Sequence, residues 1–114
     1  MSKRIILFLL QDILACIETI GSYTNGVSYD QFINDIKTYQ ATLFNFHIIG
    51  EASAQIPKEY KVENSHINWN EVKAFRNKLI HEYFGTNNQI IWDVIKFDLP
   101  DLKTQIQQLI DKQL

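Results

Sequence analysis

The sequence RNKLIHEYFG, residues 76–85, decides how the rest of this chain of 114 residues is organised. It places Arg76, His81 and Tyr83 at fixed offsets within a segment of helical composition. The chain on both sides consists mainly of apolar residues at helical spacing, which indicates further helices that hold this stretch in place.

Apolar residues three and four positions apart predict where those other helices lie. The first helix is expected over residues 3–23 and the second over residues 29–56, where Pro57 ends it. A polar, irregular loop is expected at residues 58–66, before a third helix over residues 69–85 that carries the quoted stretch. Gly50 inside the second helix costs about 1 kcal/mol relative to alanine, which suggests a close helix crossing.

Three pairs of residues have the spacing of helix caps. They are Ser28 with Gln31, Asn68 with Glu71, and Thr86 with Gln89. The last pair opens a further helix that Pro100 is expected to break or kink. No segment has strand-like alternation of useful length, so the predicted fold class is all-α, an up-and-down bundle of four to five helices.

Composition limits the classes of protein that this chain can belong to. Its length predicts a single domain over residues 1–114, and 46% hydrophobic with 21% charged residues is ordinary for a folded protein. Eleven Lys and Arg against 13 Asp and Glu leave a net charge of -2. A generally basic nucleic-acid binder is therefore not indicated, and any contact with nucleic acid must come from a local patch.

The N-terminal sequence and the single cysteine bear on localisation. The apolar run Ile5–Leu10 is interrupted by Gln11 and Asp12, far short of the roughly 20 residues of a membrane span. No export signal and no membrane association are predicted. Cys16 has no second cysteine to pair with, which favours a reducing compartment, and we expect a cytoplasmic protein.

Helix geometry constrains how the side chains of the quoted stretch can cooperate. At about 100° per residue, Arg76 and Tyr83 share one face, whereas Arg76 and His81 lie about 140° apart. Asn77 and His81, four residues apart, also share a face. A joint site for Arg76 and His81 therefore requires either that the long arginine wraps round the helix or that two copies of the helix meet across a dimer axis.

Such a site suits phosphate chemistry without a metal or other cofactor. Arginine offers a fork of donors to phosphate oxygens, and histidine can take or give a proton near neutral pH. Lys73 and Lys78 add local positive charge, and Glu51 is a candidate acidic partner for Arg76 or His81. RNA is the indicated substrate because its 2′-hydroxyl can act as an internal nucleophile. The three histidines are widely separated and show no metal-ligand spacing.

Each residue also has an ordinary structural interpretation. A lone histidine on a helix is more often a surface or core residue than a catalyst, and a lone arginine usually lies on a solvated face. Glu51 is about as often an exposed carboxylate as a functional partner. Tyr83 is either a structural hydrogen-bond donor or a hydroxyl that can be modified.

Four blocks of sequence resemble the HepT-like branch of the HEPN superfamily, which are small all-α ribonuclease toxins. The blocks are IIGEA at 48–52, INW at 67–69, the stretch at 76–85, and IWD at 91–93 with DLP at 98–100. They follow the family's order between residues 48 and 100. Phe44 and His47 depart from the family pattern, which commonly has charged residues just before the Gly-Glu block.

The resemblance implies a homodimer whose arginine and histidine motifs line one cleft and cleave RNA without a metal. Arg76 and His81 would be the catalytic residues, with Asn77 as a polar helper. The resemblance assigns no role to Glu51, whose supporting role is predicted from the residues alone. It also implies a toxin-antitoxin system of type II or type VII, whose partner is a minimal nucleotidyltransferase antitoxin of the MntA kind. That partner would adenylylate Tyr83 and so silence the toxin.

Two other functions fit the same residues. The chain could be a non-catalytic helical dimer that binds and positions a nucleotidyltransferase, with Tyr83 modified but no ribonuclease activity. It could also be a plain helical adaptor, which predicts neither activity nor modification.

Overall fold

The computed structural model describes residues 1–81 and 87–113, and for Ile80 and His81 it describes the backbone alone. Every regular element in this part of the chain is helical, which confirms the predicted all-α fold class. The helices are α1 (Lys3–Thr24), α2 (Tyr29–Asn34), α3 (Ile36–Gln55), α4 (Lys58–Glu63), α5 (Trp69–His81), α6 (Asn88–Asp93), a π-helical turn (Val94–Asp98) and α7 (Leu99–Gln113).

The four longest helices form the bundle, and α1 lies at its centre. α1 packs against α3 and α7, and α3 packs in turn against α5. Leu10, Ile13 and Ile20 of α1 are at most 1% exposed, and Ile106 of α7 is fully buried. The short helices α2, α4 and α6 connect these long ones, and Phe32 of α2 is buried in the same core.

α1 is long and apolar enough to cross a membrane, judged by length and composition alone. A core helix of a globular protein passes the same test, and the buried residues of α1 belong to the core. Its outer face leaves Ile5 and Phe8 about half exposed, with Arg4 lying over the ring of Phe8 at 5.6 Å. The side of α1 that faces away from α3 and α7 is therefore still apolar.

The single helix predicted over residues 29–56 is wrong, because the chain breaks at Asp35. The backbone of Asp35 is extended, and its side chain caps α3 by accepting from the Thr38 amide at 3.3 Å and the Thr38 hydroxyl at 2.8 Å. These hydrogen bonds hold the pKa of Asp35 below its usual value. Asp is a preferred N-cap residue, so the local signal was present in the sequence.

The irregular loop predicted at residues 58–66 is also wrong in its first half, which forms α4. Pro57 precedes the first turn of α4, a place where proline's fixed φ and missing N–H are tolerated. The indole of Trp69 then donates to the carbonyl of Asn64 at 3.2 Å, which ties the end of this segment to the start of α5.

The predicted caps are found wherever the structure describes them. Ser28 and Gln31 form the full capping box of α2, and Asn68 accepts from the Glu71 amide at 3.1 Å at the start of α5. For α6 the capping side chain is that of Asn87, which accepts from the Gln89 amide at 2.9 Å. Thr86, the residue predicted for this role, lies outside the described residues.

Pro100 does not end the last helical segment. Proline has no N–H to donate, so it cannot continue the usual hydrogen-bond ladder. The helix widens into a π turn just before it, where the Leu99 amide donates to the Val94 carbonyl five residues back. Pro100 then occupies the first turn of α7, and the chain remains helical from Asn88 to Gln113.

α3 and α5 cross at Gly50, as the sequence suggested. A Cβ atom at position 50 would lie less than 3.0 Å from both Cβ and Cγ of Arg76. The Cβ of Arg76 is fixed to the backbone of α5, so a rotamer change cannot remove this overlap. Glycine is therefore required for the observed distance between the two helices.

We expect Gly50→Ala to lower the free energy of unfolding. Overpacking of a close contact costs about 1–3 kcal/mol, and the gain in helix propensity offsets only about 1 kcal/mol of it. Thermal unfolding followed by far-UV circular dichroism measures the change.

Gly21→Ala is the matched control, because Gly21 also lies inside a helix but has nothing within 4 Å of its would-be Cβ. It should raise the melting temperature. A Gly50→Ala protein as stable as the Gly21→Ala protein would contradict the close crossing.

Candidate active site

The described part of the site is built on the crossing of α3 and α5. The aliphatic stem of Arg76 lies over Gly50, and its guanidinium forms an ion pair through Nη2 with the Oε1 atom of Glu51. The side chains of Arg76 and Glu51 are 24% and 41% exposed, so the pair is open to solvent. The Gly-Glu pair on α3 thus provides both the space for the arginine and its counter-charge.

The ion pair with Glu51 uses only part of the hydrogen-bond donors of the Arg76 guanidinium. The guanidinium has five N–H donors, and Glu51 takes the only hydrogen bond found for it among the described residues. The Nε atom is buried and has no acceptor within the described part of the chain. Chemically, this group can bind an oxyanion such as a phosphate, in competition with Glu51.

The other predicted site residues are only partly described. Asn77 follows Arg76 on α5 and is half-buried. The backbone of His81 completes the last turn of α5, which keeps it on the same helix as Arg76, but its side chain lies outside the description. Tyr83 lies in residues 82–86, which are outside the described residues. The catalytic and modification roles of these residues stay predictions.

α4 and the first half of α5 carry lysines together with glutamates: Lys58 and Lys61 with Glu59 and Glu63, and Lys73 with Glu71. Burial lowers the pKa of Lys61, and the nearby charge of Lys73 lowers it further. The ammonium group of Lys61 also lies 5.8 Å from the ring centroid of Trp69. Equal numbers of lysines and glutamates leave these segments without a net positive charge.

A cleft beside the arginine was not predicted from the sequence. It has a volume of about 260 Å³, and its floor is formed by residues of α3, including Gly50. Phe46 and Phe75 meet there with their ring centroids 4.9 Å apart in a T-shaped arrangement. Its walls come from α5, the π turn and α7, which are distant in sequence, so no local pattern could have revealed it.

Comparison with known proteins gives consistent matches along most of the chain. A model of the family described as ribonuclease HepT-like matches residues 13–109. A probable ribonuclease HepT from Thermococcus cleftensis is 39% identical over 100 residues, covering 88% of this chain and 91% of that protein.

Two further relatives carry names of candidate RNases. One, from Caldanaerobacter subterraneus subsp. tengcongensis, is 36% identical over 104 residues, which are 91% of this chain and 93% of that protein. Another, from Methanocaldococcus jannaschii, is 34% identical over 110 residues, which are 96% of this chain and 95% of that protein. No solved structure is a significant match.

The family match covers more than half of the chain, and the relatives match it over nearly their full length. The predicted resemblance to HepT-like ribonucleases is thereby confirmed. This chain belongs to the ribonuclease HepT-like family.

Proposed function

We propose that this protein is a metal-independent endoribonuclease toxin in which Arg76 binds the scissile phosphate and His81 transfers protons. The observation that carries this proposal is the arginine seated on Gly50, partly exposed and with donors left over after its pairing with Glu51. Its position on the same helix as His81, in a chain of the ribonuclease HepT-like family, supports the assignment.

The reaction uses the substrate's own nucleophile. The ribose 2′-hydroxyl loses its proton to a general base, and its oxygen attacks the adjacent phosphorus. The bond from phosphorus to the 5′ oxygen breaks, and that oxygen takes a proton from a general acid. The products are a 2′,3′-cyclic phosphate and a 5′-hydroxyl end. His81 acts as the acid or the base, and Arg76 balances the charge that grows on the phosphate oxygens.

The site is proposed to be shared between two protomers. Within one helix, Arg76 and His81 point about 140° apart, which places them poorly for one phosphate. A two-fold axis beside α5 would bring the arginine of one chain toward the histidine of its partner. Asn77, on the face of His81, would then add a polar contact to the RNA.

Control of the toxin is proposed to act through Tyr83. A cognate nucleotidyltransferase antitoxin would transfer an adenylyl group from ATP to the phenol oxygen of Tyr83, releasing pyrophosphate. Tyr83 shares the face of Arg76 if α5 continues to that residue, so the added phosphate and base would block the site. The working compartment is the cytoplasm, where ATP and RNA are both present.

We expect Arg76→Ala and His81→Ala each to reduce RNA cleavage at least about 100-fold, the usual minimum for loss of acid-base catalysis. The assay uses purified protein, an RNA oligonucleotide and a chelator. Arg4→Ala is the control, because Arg4 is the only other arginine and lies exposed on α1. Full activity of His81→Ala, or loss of wild-type activity with the chelator, would refute the mechanism.

The same two variants also test the shared site. When they are mixed and allowed to exchange subunits, about half of the dimers contain one copy of each, with one intact site out of two. The mixture should therefore recover about a quarter of the wild-type rate. No recovery, despite proven exchange, would place both groups in one protomer.

Glu51→Gln should tighten RNA binding about 1.4- to fivefold, because an exposed carboxylate that competes with phosphate is worth about 0.2–1 kcal/mol. Fluorescence anisotropy of a labelled RNA measures this in the His81→Ala background, which prevents cleavage. Glu63→Gln, an exposed carboxylate on α4, is the control. Weaker binding by Glu51→Gln would mean instead that the carboxylate is needed to orient the arginine.

Incubation with the partner nucleotidyltransferase and ATP should add AMP to the wild-type protein and not to Tyr83→Phe. Intact mass spectrometry detects the addition, and Tyr23→Phe, at an exposed tyrosine of α1, should be modified like the wild type. Modification that persists in Tyr83→Phe would contradict the proposed acceptor. Modification of a protein that never cleaves RNA would favour the non-catalytic helical partner instead.

A further inference from the structure

The bundle is open on the side where α5 faces α7. α5 packs on α3, and α7 packs on α1, whereas the cleft of about 260 Å³ lies between α5 and the segment formed by the π turn and α7. Its floor and walls are mainly apolar, with Ile49, Val72, Leu99 and Leu102 among the residues that line it. An apolar groove between two helices is the form of surface that receives an amphipathic helix from another chain.

The rim of this cleft carries charge of one sign only. Glu71 lies at the start of α5, Asp98 in the π turn and Asp101 at the start of α7, and all three are exposed. Among the described residues that line the cleft there is no lysine or arginine, and its one imidazole is that of His66. Three carboxylates around an apolar groove repel RNA phosphates, and they complement a ligand that presents apolar and basic residues together.

The volume of the cleft and the placement of its carboxylates argue against a nucleotide and a metal ion as ligands. Small-molecule pockets usually measure about 300–1,000 Å³, so this cleft fits one or two side chains better than a nucleotide. Within the part of the chain that the structure describes, no group of three or more His, Cys, Asp or Glu side chains could hold a metal ion. The three carboxylates are therefore spread around the edge of the cleft and do not form one metal site.

We propose that the cleft between α5 and α7 is a docking site for a basic amphipathic helix of a partner protein. One or two apolar side chains of that helix enter the cleft over Phe46 and Phe75, and its lysines or arginines lie beside Glu71, Asp98 and Asp101. This surface is separate from the proposed RNA site, although Gly50 borders both. The inference does not depend on ribonuclease activity.

A second copy of this chain is a less suitable occupant. Its exposed apolar residues beside basic ones lie on helices of its own folded bundle: Ile5 and Phe8 with Lys3 and Arg4 on α1, Ile36 with Lys37 on α3, Val62 with Lys61 on α4, and Phe97 with Lys96 in the π turn. Ile6, Leu9 and Leu10 on the same turns of α1 are buried in the core of their own bundle. α1 is thus flanked by its own α3 and α7 and cannot lie in the groove as a free helix.

The probe is a synthetic helical peptide with leucines at positions i, i+3, i+4 and i+7 and lysines elsewhere. Isothermal titration calorimetry at low salt should show that it binds the wild-type protein. Two control peptides each keep one of these two faces. One replaces lysine by glutamate and keeps the apolar face, and the other replaces leucine by serine and keeps the basic face. Neither should bind measurably, because the proposal needs both the basic face and the apolar face.

The matching protein variant is Asp98→Asn/Asp101→Asn, which removes two rim charges with little change of shape. It should weaken binding of the lysine-leucine peptide about fivefold or more at low salt, with a smaller difference at high salt. The control Glu63→Gln/Asp111→Asn removes two exposed carboxylates that do not line the cleft, and it should bind like the wild type.

Three results would overturn the proposal. The first is no binding of the lysine-leucine peptide, and the second is equal weakening by both double variants. The third is a change in oligomeric state of Asp98→Asn/Asp101→Asn by light scattering, which would assign the cleft to a second copy. Ribonuclease activity should be the same in this variant and the wild type, so failure here leaves the proposed catalytic function untouched.

Discussion

The close contact between Gly50 of α3 and Arg76 of α5 is the constraint on which the site depends. Without a side chain at position 50, the stem of the arginine lies directly on α3, and its guanidinium reaches the next residue, Glu51. A long, flexible side chain is thereby restricted to one place without being buried. Glycine is unfavourable inside a helix, so its presence here has a structural reason: it sets the distance between two helices and the position of one charge.

Basic side chains and an acidic cleft both lie near this crossing. On α5, Arg76 and Lys73 offer positive charge, and Lys61 of α4 lies near Lys73. Gly50 also borders the cleft toward α7, which is mainly apolar and whose acidic residues are Glu71, Asp98 and Asp101. The two proposals thus place an anion-binding arginine and a cation-binding cleft beside each other on a chain with a net charge of -2. Under these two proposals, RNA and a basic protein segment would bind without competing for the same groups.

The π turn before Pro100 shows how one residue type shapes this arrangement. Proline removes a hydrogen bond from the helix, and the chain accommodates the loss by widening for one turn instead of breaking. The same turn supplies Val94 and Asp98 to the cleft. Proline at position 100 predicts a disturbance of the helix, and in the structure that disturbance is a widened turn within a continuous helical segment.

The sequence by itself determined the helical class, the family, the cap residues of α2 and α5, and the close approach at Gly50, because these follow from residue type and local spacing. It also contained the N-cap signal of Asp35, which the long apolar periodicity of residues 29–56 obscured. Only the tertiary structure decided that Glu51 pairs with Arg76, and that three carboxylates from α5, the π turn and α7 surround one cleft. Those arrangements join segments that are far apart in the chain, and no local pattern specifies the distance or direction between packed helices.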